Sequence, residues 1–285
     1  MKDHLNQSFN LPHDVVTLPT GGIFYSTKQK TVKMGYLTAN DENLIVNSFQ
    51  KRSDNIVLNL IRNKMYEHDL KVNELLDADV EALLIFLRNS SFGPEYSVTL
   101  RDPKTDKEFE TTILLDELNI KQIQERPSPD GTFEIKLPKT EAVVKVKPLT
   151  YYENTEIEQM SESYPQGRVV PTVTWRLNKQ IVELNGSTDR TQISTFIESM
   201  PIVDSKFIRN FLRQNVPSLD LNKTVIAPSG EKVSVSIAFG VEFFRPFLWL
   251  SITFNRRILF SISIFENVTN RFFNHAYFYE KTYYK

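Results

Sequence analysis

The sequence contains no cysteine among its 285 residues. This absence excludes disulfide bonds, thiolate nucleophiles, cysteine-ligated zinc and iron–sulfur clusters. The stretch MKDHLNQSFNLPHDVV at the N-terminus also lacks the apolar core of a signal peptide and the arginine richness of a transit peptide. We therefore expect the chain to be made and folded in a reducing cytoplasm.

Glycine, histidine and excess charge are scarce as well. The nine glycines form no phosphate-binding or nucleophile-elbow pattern, and the four histidines have no metal-ligand spacing. Lys and Arg number 34 against 35 Asp and Glu, a formal net charge of -1, so no global attraction to nucleic acid or an anionic membrane is expected. The sequence predicts a protein that is not an enzyme and has no metal, cofactor, small-molecule substrate, nucleic-acid or membrane partner.

A hydrophobic content of 40% is enough to form a buried core, and the pattern in the first half is helical. A turn at 19–22 leads to a strand near 31–36, followed by a helix capped by Thr38 or Asn40. A second helix is predicted over 54–66. A third, DADVEALLIFLRNSS, is expected to begin at an aspartate cap and to end before Gly93.

The apolar period then changes from about 3.6 to 2, which indicates β-hairpins. Residues 96–100 and 109–113 flank the stretch RDPKTDKEF and predict a hairpin with its tip there. After a loop over 120–131, a second hairpin is expected over 132–149 with a bend at 138–141. A third is expected over 219–239, with Pro228, Ser229 and Gly230 at its tip.

Between the second and third hairpins the pattern returns to helices. LTYYENTEIEQMSE begins at Thr150 with Glu153 three residues on, a capping box. VTWRLNKQIVELNG is expected to remain helical up to its Asn-Gly end, STDRTQISTFIESMP forms the next helix, and DSKFIRNFLRQNVP is expected to begin at Asp204. The predicted fold class is α+β, with helical segments that alternate with β-hairpins.

Four segments follow from this order of elements. They are an N-terminal turn and strand over 1–37, helices with two hairpins over 38–150, a helical region with the third hairpin over 151–246, and an aromatic-rich segment over 247–285. Fourteen of the last 43 residues are aromatic, against 19 in the preceding 242. Asn255, Arg256 and Arg257 divide the apolar run into pieces too short to cross a bilayer. The segment is expected to pack on a neighbouring subunit or, equally well, to complete the chain's own core; a membrane-interface helix is a weaker interpretation.

Charged groups near one another have structural explanations. Two acidic groups, one of Asp77, Asp79 and Glu81 and one of Glu153, Glu156 and Glu158, lie in the first turns of predicted helices, where the helix dipole favours them. Two basic groups near aromatic residues, 207–213 and 254–260, have the composition of a phosphate-contacting surface. In helices the same spacing is more typical of a core face with a solvated edge.

Several stretches in order resemble one family, the T4-type base plate hub and hub-assembly proteins of contractile-tailed bacteriophages. They are LPTGGIFY at 18–25, VKMGYLTANDENLI at 32–45, GPEYSVTL at 93–100, DRTQISTFIESMPIVDSKFIRNFLRQNVPSLDL at 189–221 and FGVEFFRP at 239–246. A helix, a proline and a hairpin also recur at 83–115 and 207–239. The resemblance covers most of the chain but not its last forty residues.

The resemblance implies zinc-ribbon-like hairpins, because many members of the family carry cysteine pairs at these two tips. Here the corresponding positions are Asp102, Thr105, Ala227 and Gly230, which cannot form a thiolate cage, so we predict two zinc-ribbon-like hairpins without metal ligands. Arg245 stands where the family usually has tryptophan before the proline.

The family further implies a structural or assembly protein of the phage tail base plate, either a hub or inner base plate subunit or a hub-assembly chaperone. Its expected partners are other base plate and hub proteins, and its expected location, after synthesis in the host cytoplasm, is the virion tail if it is structural. The alternative is a nucleic-acid-binding module with a ribbon-like hairpin. The predicted partner-binding residues are Gly21, Gly22, Phe24, Tyr25, Phe243, Phe244, Arg245, Phe247 and Trp249.

Overall fold

A computed structural model describes residues 12–51, 56–66, 69–121, 123–239 and 243–244. Within these ranges the chain forms seven α-helices and nine strands in small antiparallel sheets, which confirms the α+β class. The described elements belong to a compact unit that extends from Met1 to Phe244. The finer division into segments stays a prediction.

The N-terminal part pairs two strands and adds two helices. Strands β1 (His13–Thr17) and β2 (Thr31–Gly35) are antiparallel, and α1 (Ala39–Lys51) and α2 (Ile56–Lys64) follow. Thr38, one of the two predicted caps, directly precedes α1, and its backbone N–H and hydroxyl donate to the carboxylate of Asp41 at 2.7 and 2.6 Å. Lys64 at the end of α2 forms a buried ion pair with Asp41, so the same carboxylate joins the two helices.

Helix α3 (Asp77–Phe92) is followed by strands β3 (Glu95–Arg101) and β4 (Glu108–Leu114), the first hairpin. Their antiparallel register pairs Tyr96 with Ile113, as the alternating pattern predicted. The aspartate cap of α3 was wrong: the N-cap residue is Leu76, and no side chain caps the helix. The aspartates of this first turn bind other segments of the chain instead.

A three-stranded sheet forms the centre of the second half. Its order is β5 (Phe133–Lys136), β6 (Val143–Val146) and β7 (Ile181–Leu184), all antiparallel. Helices α4 (Tyr151–Glu162), α5 (Thr172–Gln180), α6 (Arg190–Ser199) and α7 (Ile202–Asn215) complete this half. The capping box at Thr150 and Glu153 is confirmed. The core here contains residues of the sheet and of α5, α6 and α7, among them Val144, Leu177, Ile193, Ile208 and Leu212.

Two boundaries in this half differ from the prediction. The segment expected to be helical up to Asn185 ends as a helix at Gln180 and continues as β7. Asn185 and Gly186 both have positive φ, 49° and 82°, and form a tight turn after the strand rather than a helix end. Helix α7 begins at Ile202 after Pro201, two residues before the predicted start at Asp204.

The last hairpin consists of β8 (Asn222–Ile226) and β9 (Lys232–Ser236). Both strands alternate between half-buried and exposed residues, so one face of the hairpin is partly covered and the other faces solvent. After residue 239 the next described residues are Phe243 and Phe244, which are both buried. The three predicted hairpins are confirmed.

Candidate interaction surface

The turn Gly21–Tyr25, which the sequence predicted to bind a partner, is bound to the N-terminus of α3. The buried carboxylate of Asp79 accepts hydrogen bonds from the Thr20 backbone N–H at 2.9 Å, from the Thr20 hydroxyl at 2.6 Å and from the Tyr25 hydroxyl. The Tyr25 oxygen in turn accepts the backbone N–H of Leu76 at 3.0 Å. A segment 59 residues away in the chain thus supplies the polar contacts at the start of the helix.

Burial determines the protonation of this site. It raises the pKa of Tyr25 far above its usual value, and the nearby charge of Asp79 adds to the effect. Burial also raises the pKa of Asp79, although the bonds from Thr20 and Tyr25 oppose that shift. Tyr25 therefore remains a donor throughout the physiological range. The side chain of Tyr25 is only 3% exposed, so its role in this structure is to join the turn to α3.

The glycines and Phe24 of the same turn have different surroundings. A Cβ on Gly22 would lie 2.2 Å from the carbonyl oxygen of Gln29, and its φ is +74°, so the position accepts only glycine. A Cβ on Gly21 would meet nothing within 4 Å. The Phe24 ring is half-buried, with its centroid 6.0 Å from that of Phe133. The partner-binding role of these residues stays a prediction, with Gly21 and Phe24 the more accessible.

Phe243 lies against the end of α3 and the first hairpin, and the ring of Phe244 packs edge-on against that of Phe243. The guanidinium of Arg88, 1% exposed, donates to the carbonyl oxygen of Phe243 at 3.2 Å and lies over the rings of Tyr96 and Phe243, 5.1 and 5.7 Å from their centroids. Phe243 also contacts Phe239, with centroids 4.9 Å apart. The side chains of both phenylalanines are thus buried within this chain.

Arg88 satisfies its other donors on backbone oxygens. It donates to the carbonyls of Gly93 at 2.8 Å and Glu95 at 2.7 Å, and burial lowers its pKa. One guanidinium therefore fixes the end of α3, the start of β3 and the chain at Phe243. Of the other predicted anchors in this region, Arg245, Phe247 and Trp249 lie outside the described residues.

The two hairpin tips that the sequence singled out meet at the carboxylate of Asp102. Within its own tip, Asp102 accepts the backbone N–H groups of Lys104 at 2.9 Å and Thr105 at 3.3 Å. From the other tip it accepts the backbone N–H of Ser229 at 3.0 Å and the Ser229 hydroxyl at 2.7 Å. The Asp102 side chain thus links the two tips by hydrogen bonds.

The electrostatics of Asp102 agree with this role. Burial alone would raise its pKa, but the bonds from Ser229 and from the backbone N–H groups outweigh burial and hold the pKa below its usual value. Asp102 therefore stays ionised at neutral pH. Charge-assisted bonds of this kind are about twice as strong as neutral ones.

The bases of the same two hairpins are joined as well. The segment after β4 pairs with the segment before β8: Lys121 N–H donates to the Ser218 carbonyl at 2.9 Å, and Asp220 N–H donates to the Asn119 carbonyl at 2.8 Å. We call the two hairpins with these links the paired-hairpin module. Its halves are connected at both ends, although Asp102 and Ser229 at the tips are 127 positions apart in the sequence.

The acidic groups noted in the sequence act largely as structural partners. Glu153 pairs with Lys147 at 2.8 Å and Glu156 with Lys179 at 2.7 Å, and Asp77 accepts the Asn154 amide at 2.8 Å. Glu81 differs, because burial and then the charge of Asp77 raise its pKa to about 8. Across the described ranges, no three His, Cys, Asp or Glu side chains are placed to hold a metal ion.

Two other observations concern the described part of the chain. A small pocket beside β2 is lined by Tyr36, Tyr66 and Lys64 among others, and its lysine is already paired with Asp41. No helix in the described ranges has both the length and the apolar character needed to span a bilayer.

Sequence reasoning missed the residues that hold distant segments together. The burial of Arg88 could have been predicted, because Arg88 lies on the apolar stripe of LLIFLRN, where a solvated arginine is not expected. Asp204 is fully buried and accepts the backbone N–H groups of Lys139 at 2.8 Å and Thr140 at 2.9 Å, so it binds the tip of the β5–β6 hairpin to α7. No local pattern marks this contact, because its partners lie about 65 residues away.

Comparison with known proteins gives one family. A family model described as T4 bacteriophage base plate protein matches residues 16–245. No curated protein and no solved structure matches the chain. The matched region includes the turn Gly21–Tyr25, both halves of the paired-hairpin module and the buried Phe243.

Proposed function

The chain belongs to the T4 bacteriophage base plate protein family, and from that premise we propose that it is a non-enzymatic protein of the base plate hub. It acts there through contacts with other hub and base plate proteins, as a resident hub or inner base plate subunit or as a chaperone of hub assembly. A structural role in the phage base plate, in the virion tail, follows from the family itself. The hub location and the mode of action are the proposal.

The observation that carries the proposal is that three buried aspartates hold distant segments of the chain together. Asp79, Asp102 and Asp204 each bind backbone N–H groups of a segment at least 59 residues away. Their carboxylates hold in place the turn at Thr20, the tip at Ser229 and the tip at Lys139. A protein that works by presenting surfaces benefits from such rigidity, because less ordering is required when a partner binds.

Mass spectrometry of purified virions tests the proposal. A resident subunit is expected in intact particles at a fixed ratio to other tail proteins. A chaperone is expected in base plate intermediates from infected cells and not in finished particles. Absence from both fractions would contradict the proposed function.

Binding to nucleic acid is the control measurement. Electrostatic contacts with phosphate give an affinity that falls steeply with salt. For a base plate protein that works through protein contacts, we expect no salt-dependent retention of duplex or single-stranded DNA at low ionic strength. Strong retention lost at higher salt would favour the nucleic-acid interpretation instead.

A further inference from the structure

Helix α7 exposes hydrophobic residues on a side that does not face the core. Ile202, Val203 and Phe207 are 80%, 59% and 38% exposed, whereas Ile208 and Leu212 on the opposite side are buried. Val203 and Phe207 are one helical turn apart and share a face. These three side chains are clustered at the start of one helix, unlike the single exposed apolar residues that any surface has.

This apolar stripe continues into the core through aromatic rings. The Phe207 centroid lies 6.4 Å from that of Phe211, and the Phe211 ring meets the buried Phe133 edge-on at 5.3 Å. The outer end of the stripe is therefore backed by packed side chains. A partner that covers Phe207 would extend an existing hydrophobic cluster.

Unpaired positive charge lies beside the stripe. Between Asp204 and Asp220 the sequence contains Lys206, Arg209 and Arg213 and no acidic residue. Within the described ranges none of these three side chains forms an ion pair, and Asp204 is buried against the β5–β6 hairpin. Lys206 and Arg213 are exposed and two turns apart, so they lie on the same side of the helix.

The helix that carries this surface is fixed at both ends. Near its start, Asp204 accepts the two backbone N–H groups of the β5–β6 tip. At its end, the buried Asn215 accepts the backbone N–H of Glu125 at 2.7 Å. Binding to a surface already held in place costs little conformational entropy.

We propose that the outer face of α7, defined by Ile202, Val203, Lys206, Phe207 and Arg213, binds an acidic segment of another base plate subunit. The segment places an apolar side chain against Val203 and Phe207 and carboxylates beside Lys206 and Arg213. The inference rests on the proposed function, since the partner belongs to the same assembly.

The surface chemistry favours this occupant over two others. A second copy of the chain docked through the same face would bring two sets of unpaired cations together, which costs free energy. A nucleic acid would pair with the cations but would leave the exposed isoleucine, valine and phenylalanine against phosphates. An acidic protein segment with an apolar anchor satisfies both the charges and the hydrophobic stripe.

Site-specific photo-crosslinking in infected cells tests the proposal. A benzophenone amino acid replaces Val203 in one variant and Ile226, an apolar residue of the last hairpin that is 70% exposed, in a matched control. Crosslinked peptides are identified by mass spectrometry in virions and in base plate intermediates. At position 203 we expect one partner segment that contains more Asp and Glu than Lys and Arg.

Charge reversal then tests the role of the cations. In the Val203 crosslinking background, the Lys206→Glu, Arg213→Glu pair is expected to reduce the crosslink at least about tenfold, the loss typical when close interfacial charge pairs are disrupted. The control pair Lys30→Glu, Lys104→Glu makes the same change in net charge at exposed sites and is expected to leave the crosslink unchanged. Because all of these residues are exposed, thermal midpoints near that of the parent verify that each variant folds.

Several results would overturn the inference. They are a crosslink to a second copy of this chain, to nucleic acid or to a segment without acidic excess, and a crosslink that survives charge reversal. Absence of a crosslink at 203 while the chain is present in the assembly would also overturn it and would leave the proposed function intact. Absence of the chain from virions and intermediates would instead contradict the proposed function, and the inference with it.

Discussion

Single carboxylates determine much of how this molecule responds to pH, and they act in opposite directions. Burial alone would raise the pKa of Asp204, but the bonds from Thr140 and Lys139 outweigh it and hold the pKa below its usual value. Burial raises the pKa of Glu81, which has no compensating hydrogen bond among the described residues. One aspartate stabilises the fold when ionised, and one glutamate stabilises it when protonated.

Asp204→Asn is expected to lower the free energy of unfolding at pH 7 by about 1–3 kcal/mol, because a charged acceptor of buried N–H groups is lost. Urea denaturation measures the change. Since the folded-state pKa is lowered, the stabilisation is complete above the unfolded pKa of about 3.9 and disappears as pH falls through the folded value. The difference between the two proteins should therefore shrink in strong acid. Asp116→Asn, at an exposed position, is the control and should have no effect.

Glu81→Gln is expected to raise the thermal midpoint in alkaline solution. A raised folded-state pKa means that the parent protein loses stability as pH rises from about 4.3, the unfolded value, through about 8. The glutamine cannot ionise and does not lose this stability. Midpoints measured from pH 5 to pH 9 should converge at the acidic end and separate at the alkaline end. A parallel pair of curves would contradict the assigned pKa; Glu117→Gln, at an exposed site, is the control.

At the scale of elements, patterns of neighbouring residues predicted the helices and hairpins whose stability depends on neighbouring residues. The hairpins followed from the period-two pattern, and the Thr150 capping box is present as read from the sequence. The strand Ile181–Leu184 was missed because its four residues follow a helix directly and its pairing partner, β6, is more than thirty residues earlier. The Asn-Gly pair after it suits a tight turn as well as a helix end.

The sequence predicted the positions of the site's segments but not the contacts between them. Both hairpin tips were located from the sequence, but nothing local indicates that Asp102 and Ser229 touch. Likewise, the sequence suggested that Tyr25 and Phe243 contact a partner. It did not show that both side chains are buried within the chain itself. Long-range polar pairings depend on the assembled fold and leave no periodic pattern in the chain.

The link between the tips can be tested by a double-mutant cycle. Asp102→Ala and Ser229→Ala are each expected to accelerate amide exchange in β8 and β9, because the last hairpin loses its connection to the first. The double variant should be hardly worse than Asp102→Ala alone, since both substitutions remove the same contact. Additive effects would argue that the two residues act separately. Ser234→Ala, at an exposed position in β9, is the control.

At the scale of the whole molecule, the family match and the compact unit end within one residue of each other. The match extends to residue 245, and the unit extends to Phe244. The aromatic-rich segment 247–285 had three interpretations in the sequence: a surface for a neighbouring subunit, part of the chain's own core and, more weakly, a membrane-interface helix. Because the compact unit ends at Phe244 and contains the contact between Arg88 and Phe243, we expect the first of these.

Truncation after Pro246 checks this preference. The shortened chain is expected to unfold cooperatively with a midpoint within about 4 °C of the full-length protein, a difference of no more than about 1 kcal/mol. Differential scanning calorimetry measures both. A much larger loss of stability would show that the segment contributes to the core. A second truncation after Phe239, which removes Phe243 and Phe244, should be strongly destabilised and shows that the assay detects such a loss.

The link from Asp102 to Ser229 can form only late during synthesis of the chain on the ribosome. These residues are 127 positions apart, and bacterial synthesis at about 5–20 residues per second places roughly 6–25 s between their appearance. During that interval the emerging first hairpin has no second tip to hold it, and Arg88 must wait still longer for Phe243, which is 155 positions later. The nascent chain therefore exposes the surfaces of both contacts to other proteins until Phe243 has been synthesised.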